Sequence, residues 1–374
     1  MIRFWPFRLR YPEAGLNLQE NVALAPLTTF KVGGPARYFA DCASESEVQE
    51  AVAYAAEHKL PLFVLGGGSN LVIADEGWPG LAVKISIQGR EETAGGFFRV
   101  GAGEDWDAFV AHAVAENYSG IECLSGIPGT VGGTPVQNVG AYGQEVAETI
   151  AYVRLLELAT GKIIEMNKGE CGFSYRSSIF NSTLRGRYIV LWVAYQLVHD
   201  AEPRIEYADL KKHFATSSSP PTLQQVREAV REIRKSKAML IVEGDEDCRS
   251  AGSFFKNPLV SPADADRIAL LARQRATDKI LPRYPGTDGL VKLPAAWLVE
   301  HAGFHKGYAR GPVGISRKHT LAIVNRGGAT AEDIMALKDE VQKRVFDVWG
   351  VELQPEPVFV GVELPAIGSP SQQL

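Results

Sequence analysis

Residues 60–73 read LPLFVLGGGSNLVI, and their reading decides the fold. A short apolar run, three glycines and a second apolar run predict a strand, a tight loop and another strand. Working outward, Glu45–His58 carries valine and alanine at helical spacing, so the unit begins helix, strand, glycine loop. Leu81–Ile87, LAVKISI, alternates as a strand does. Phe97–Gly101 predicts a further strand and Trp106–Asn117 a helix. Ala151–Leu158 and Lys162–Met166 predict a hairpin around Ala159-Thr160-Gly161, and Tyr188–Val198 a long strand. These elements describe an α+β body that ends near residue 200.

A second composition follows. Ser217-Ser218-Ser219-Pro220-Pro221 punctuates the chain before a charged helix from Leu223 to Lys237. Further on, Thr320–Asn325 predicts a strand, Thr330–Trp349 a helix and Val358–Val362 a closing strand. The working division is an N-terminal extension over 1–25, a first domain over 26–200 and a smaller α+β domain over 201–374. No internal repeat of fixed period is visible.

The totals exclude several classes. At 374 residues the chain is long enough for two or three cores. With 45% apolar and 22% charged residues, neither disorder nor a fibrous repeat is suggested. No apolar run approaches the roughly 18 residues of a spanning helix, and MIRFWPFRLRYPEAG lacks the continuous hydrophobic segment of a leader. The expectation is a cytoplasmic monomer with no membrane partner. Cys42, Cys123, Cys171 and Cys248 form no CxxC pair, against a zinc site or a disulfide framework. A net charge of -5 gives no footprint for nucleic acid. The clustered bases of Val226–Lys237, VREAVREIRKSK, read as a solvated helix face.

Gly66-Gly67-Gly68, followed by Ser69-Asn70, lets backbone amides approach a phosphate closely. It is neither a Walker A loop nor a GxGxxG fingerprint, since Leu71 stands at the third glycine position. A glycine turn without a ligand is the competing reading. Ser125–Gly143, SGIPGTVGGTPVQNVGAYG, weighs against it: six glycines and two prolines in nineteen residues still keep Ile127, Val131, Val136 and Val139 as anchors. A disordered linker has no use for such anchors. An ordered, backbone-dense loop against a large or multiply charged ligand fits better.

In chain order, TTFKVGGPA (28–36), GGGSNLVIAD, GIPGTVGGTPVQNVGAYGQE, FSYRSSIF, AGSFFKNP and LQPEP resemble the UDP-N-acetylenolpyruvoylglucosamine reductase family, over residues 26–361. The resemblance implies an FAD-binding domain of the vanillyl-alcohol oxidase (PCMH) type, followed by a smaller α+β substrate-binding domain. It implies that FAD is held by Gly66, Gly67, Gly68, Ser69, Asn70 and Leu71 in the first loop. In the second loop the matching residues are Gly126, Ile127, Pro128, Gly129, Gly132, Gln137, Asn138, Gly140, Ala141 and Gly143. The implied reaction is NADPH-dependent reduction of a small nucleotide sugar, UDP-N-acetylglucosamine enolpyruvate, to UDP-N-acetylmuramate in peptidoglycan precursor synthesis.

That chemistry needs fixed charge where the enolate develops. By the resemblance this falls to Arg176, whose planar fork suits a carboxylate. Glu356 is its implied helper; a carboxylate facing a carboxylate requires the arginine nearby, or a retained proton. Pro357 stands where the family has an aliphatic residue, so the closing strand is expected to begin one residue late. Ser253 is the implied proton donor to the enolate carbon, a strong base. Tyr207, Lys237 and Asn257 match residues that contact the substrate's phosphates, and Tyr207 places the chain in the branch whose tyrosine-bearing loop closes over the substrate. His301 and His305 lie four apart with Gly303 between and no third ligand, so no metal is expected. An FAD-dependent oxidase of an alcohol or sugar using oxygen is the alternative.

Overall fold

The computed structural model describes residues 16–275 and 280–362, so most of the proposed N-terminal extension and the last twelve residues lie outside the described residues. The chain forms two compact units that alternate along the sequence. The first comprises residues 16–22, Ala36–Gly67 and Pro79–Arg231; the second comprises Ala23–Pro35, Gly68–Trp78 and 232–362.

In the first unit, Leu62–Leu65 pairs in parallel with 81–84, inside a four-stranded sheet completed by Pro35–Cys42 and Leu18–Ala23. Helix α1, Glu45–Glu57, starts on Ser44, whose side chain accepts from Glu47 N, and buries Val48, Ala51 and Ala55. The second sheet has five antiparallel strands, ordered Ile163–Asn167, Ile150–Glu157, Tyr188–Gln196, Phe97–Gly101, Arg90–Thr93. Its centre is YIVLWVAYQ, a run of β-branched and aromatic residues without polar alternation, as a strand covered on both faces requires. Helix α2, Trp106–Ala115, is capped by Asp105, which accepts from Ala108 N at 2.8 Å. The short α3, Ala208–His213, and the long α4, Leu223–Ser236, follow. Phe98, Trp106, Phe109 and Tyr195 sit at the heart of this core, each buried.

The second unit is built around α5, Pro262–Gln274, α6, Ala295–His301, and α7, Ala331–Trp349. Thr330 and Asp333 form a reciprocal capping box at the start of α7, and Gly350, at φ +68°, ends it in the left-handed region. Ile334, Leu337, Val341, Val345 and Val348 recur every three or four residues and fill the core with Trp297, Leu298 and Trp349. Leu71–Ile73 pairs in parallel with Val358–Val360, which begins after Pro357, as the proline implies.

Two expectations are corrected. The strand expected over Thr320–Asn325 shortens to Ile323–Asn325. Ala322 N donates to His319 O and Ser316 N to Ala322 O, so a turn occupies the first residues. The closing strand expected over Val358–Val362 ends at Val360, while the apolar runs on either side of the glycine triplet are both strands, each with its partner in a different sheet.

Candidate active site

The first unit brings the two glycine loops together. A methyl group on Gly67 would lie 2.6 Å from Gly129 Cα, and one on Gly66 would lie 3.1 Å from Thr130 Oγ1. At Gly67 only a bare backbone allows this approach. Gly126 turns at φ +71° and Gly129 at φ +125°. The second loop is nailed down by Trp106 Nε1 to Leu124 O, Trp106 N to Gly129 O, Val131 N to Glu104 O and Gly132 N to Ala102 O. Ile127 and Val136 pack partly buried against the core, as anchors do. Closely approaching glycine backbone of this kind suits a dinucleotide cofactor with its pyrophosphate.

Further along the same loop, Asn138 is buried, with backbone φ +44°. Its Nδ2 donates to Glu145 Oε2 at 2.7 Å and to Ser174 O at 3.0 Å, and its Oδ1 accepts from Ala147 N. The side chain therefore ties the loop to the FSYRSSIF segment. In that segment Ser174 and Ser177 exchange backbone hydrogen bonds, forcing the turn that carries Arg176 at φ +54°. Asn181 Nδ2 donates to Arg176 O, and the guanidinium lies 5.4 Å from the Tyr175 ring centroid. A methyl group on Gly140 would lie 2.8 Å from Glu145 Cγ, 3.0 Å from Gln144 O and 3.3 Å from Arg176 Nη1. Tyr207, just before α3, is half exposed and meets the Tyr142 ring edge-on at 5.4 Å. The structure thus brings Arg176 and Tyr207 to the loop that carries Gly140, Ala141 and Gly143.

In the second unit, Gly68, Ser69 and Asn70 meet the residues around Ser253 and Glu356. Thr29 N donates to Gly68 O, while Thr29 Oγ1 donates to Ser69 O at 3.3 Å and to Ser250 O at 2.6 Å. Asn70 Nδ2 donates to Glu356 O at 3.1 Å. Phe255 bridges Pro355 in antiparallel register, with Glu356 N donating to Phe254 O and Lys256 N to Gln354 O. Ser253 and Glu356 thereby sit on adjoining chain segments. Phe254 and Phe255 are buried, edge-on to each other at 5.3 Å, and hold that pair of segments in the core. Gly252 precedes Ser253 at φ +70° with open space beside it.

Asn257 Oδ1 accepts from Ala295 N at 2.9 Å at the start of α6. Lys237 follows α4 and is half-buried. Sequence reasoning left His319 unassigned and passed over Lys306. Burial, then the charges of Lys237 and Lys306, lower the His319 pKa to about 4, against the opposing pull of Glu300. Its Nδ1 accepts from Leu321 N, which fixes a neutral ring. A lysine two residues after AGF, and a histidine beside an apolar run, gave no motif to notice. His301 and His305 each donate Nδ1–H to a backbone carbonyl, of Trp297 and Lys306. Among the described residues no group of three His, Cys, Asp or Glu side chains is placed to hold a metal ion.

The basic helix also differs from its expected solvated face. Arg227 and Arg231 both bind Asp107, and Arg234 is buried with Nη2 on Met239 O at 2.6 Å.

Residues 36–167 match a model described as FAD binding domain, and residues 244–360 match one described as UDP-N-acetylenolpyruvoylglucosamine reductase, C-terminal domain. The chain is 46% identical to the UDP-N-acetylenolpyruvoylglucosamine reductase of Thermobifida fusca, over 92% of this chain and 98% of that protein. It is 44% identical to the Streptomyces avermitilis enzyme of the same name, over 92% and 95%. The crystal structure of the reductase from Thermus caldophilus superposes with a TM-score of 0.63 at 26% identity, covering 92% of this chain and 99% of that one. These matches favour the reductase over the oxygen-using oxidase: the chain belongs to the UDP-N-acetylenolpyruvoylglucosamine reductase family.

Proposed function

We propose that this chain carries out its family's reaction with Arg176, Glu356 and Ser253 as its catalytic residues. The reaction is the NADPH-dependent reduction of UDP-N-acetylglucosamine enolpyruvate to UDP-N-acetylmuramate through FAD. Bound in the glycine cradle, FAD would supply the hydride, drawn from NADPH, for the terminal carbon of the enolpyruvyl group. The electron pair of the double bond then moves to the carbon that bears the carboxylate. Arg176 holds that carboxylate in two places and stabilises the charge as it spreads into it. Glu356 helps to polarise the same group. Ser253 Oγ gives its proton to the enolate carbon, completing the lactyl ether, and regains a proton from solvent.

Gly66, Gly67, Gly126, Gly129 and Gly132 form the backbone cradle for FAD in the first unit, with Pro128, Gln137, Ala141 and Gly143 along the same loop. By the family resemblance, Ser69, Asn70 and Leu71 are further cofactor contacts. Tyr207, Lys237 and Asn257 take the diphosphate. The functional division is an FAD-binding domain over 26–200 and a substrate-binding domain over 201–374. A cytoplasmic monomer that binds no nucleic acid fits this role; among the described residues no helix is long and apolar enough to cross a membrane.

The observation that carries the reading is the backbone pairing that sets Ser253 beside the Glu356 segment. Anaerobic stopped-flow on two half-reactions tests it. NADPH bleaches the flavin of both wild type and Ser253→Ala, and the enolpyruvyl nucleotide restores the wild-type colour without oxygen. In Ser253→Ala that second step slows by about 10²–10⁴-fold, the usual worth of a placed proton donor. Equal slowing of both steps makes Ser253 structural; recolouring by oxygen alone refutes the reductase reading.

A further inference from the structure

The hydrogen bonds that fasten the second glycine loop differ in kind at one point. Trp106, Val131 and Gly132 reach the backbone carbonyls of Leu124, Gly129, Glu104 and Ala102, whereas Gly126 N donates to Asp107 Oδ1 at 2.6 Å. Among these bonds, the one at Gly126 alone ends on a charged group. Asp107 lies in the first turn of α2, where the helix dipole favours an anion. Arg227 Nη1 holds its Oδ1 and Arg231 Nη1 its Oδ2. The two arginines are four apart on α4 and so share one helix face.

We propose that Asp107 is a positioning residue for FAD: clamped by Arg227 and Arg231, its carboxylate fixes the Gly126 peptide and with it the path of the loop through Ile127, Pro128 and Gly129. This deepens the assignment of that loop to the cofactor and rests on it. The Arg227 side chain keeps only 11% of its exposure, and a cation so enclosed needs its partner. One carboxylate serves two guanidinium groups and an amide, an arrangement that leaves Asp107 little freedom to turn. Burial works against the Asp107 charge, yet the Arg227 hydrogen bond, the Gly126 N–H and both guanidinium charges hold its carboxyl below the usual range. The peptide of Gly126 is where this matters: at φ +71° the chain turns there, and a rotated amide would re-aim every residue up to Gly129.

The experiment titrates apoprotein with FAD, following flavin fluorescence, for wild type, Asp107→Asn, Arg231→Met and the double variant. Amide hydrogen exchange over residues 125–133 is followed with and without FAD. Asp107→Asn is expected to lower the apoprotein's melting temperature, because the enclosed Arg227 loses its partner, and to weaken FAD about tenfold, as losing a charged hydrogen-bond acceptor does. Arg231→Met weakens it about threefold, and the double variant is no weaker than Asp107→Asn alone. Unchanged FAD affinity in Asp107→Asn overturns the proposal, as does a loss in Arg231→Met, whose side chain is 38% exposed, that comes with an apoprotein melting temperature lower by more than about 2 °C. Arg231→Met decides the matter in the same way if Asp107→Asn does not fold. Should FAD fail to protect residues 125–133 in wild type, the assignment of the loop to the cofactor fails first, and the proposal with it.

Discussion

Gly67 shows how little tolerance the cradle has at the level of a single residue. The atom that a methyl group would strike is the Cα of Gly129, a backbone atom that cannot rotate aside. Gly67→Ala therefore has to part the two loops by a few tenths of an ångström or more, and overpacking of this kind costs about 1–3 kcal/mol. The expected result is protein that purifies with less bound flavin and unfolds earlier in urea, read by the ratio of flavin to protein absorbance and by the unfolding midpoint. Gly133, six residues from Ile127 and with open space beside it, supplies the control: Gly133→Ala is expected to keep its flavin. If both variants lose flavin alike, the close approach at Gly67 is not what shapes the cradle.

At the scale of elements, α7 makes its stability argument at one end. Thr330 Oγ1 accepts from Asp333 N at 3.1 Å, and Asp333 Oδ2 accepts from Thr330 N at 3.0 Å. Replacing a capping threonine by alanine costs about 1 kcal/mol, so Thr330→Ala is expected to lower the unfolding free energy by that amount and leave NADPH-driven flavin bleaching unchanged. A change below 0.3 kcal/mol, read by urea unfolding, makes the box ornamental. The helix itself was legible in sequence, from its threonine start to its glycine stop, because helical order is local. The strands of 60–73 were legible as strands, but their partners were not: Leu71–Ile73 pairs with residues 358–360, nearly three hundred residues on, and nothing near the loop encodes that choice. The same limit governed the site. Motif residues such as Arg176, Ser253 and Glu356 came from resemblance, whereas Asp107, Arg227 and Arg231 looked like ordinary charges on two helix surfaces. The one local hint was their company, since Val226 and Val230 flank the arginines and are buried.

For the molecule as a whole, the net charge of -5 opposes a substrate that carries a diphosphate, so the attraction has to be local. In the second unit Lys237, proposed above for the diphosphate, and Lys306 both act on His319, which burial and these two charges keep neutral. That neutrality has a consequence for the stability of the entire protein. An unfolded chain protonates a histidine near pH 6.5, whereas the folded one resists until about pH 4, because burial and the two lysine charges penalise the imidazolium while Glu300 only partly offsets them. Protonation would also remove the acceptor that receives Leu321 N. Between those two values the unfolded state binds more protons, so stability rises with pH across the window and falls as the solution is acidified. Asp107 and Asp245, whose carboxyls are held below the ordinary 3.8, lose their contributions only at lower pH, which leaves the window readable. Urea unfolding at pH 6.5, 5.5 and 4.5 is expected to show wild type losing about 2 kcal/mol over that span, with His319→Gln losing less by nearly the same amount. Parallel pH profiles for the two proteins would mean that His319 takes up its proton in the folded state, and with it that burial and the lysine pair together do not hold the imidazole neutral.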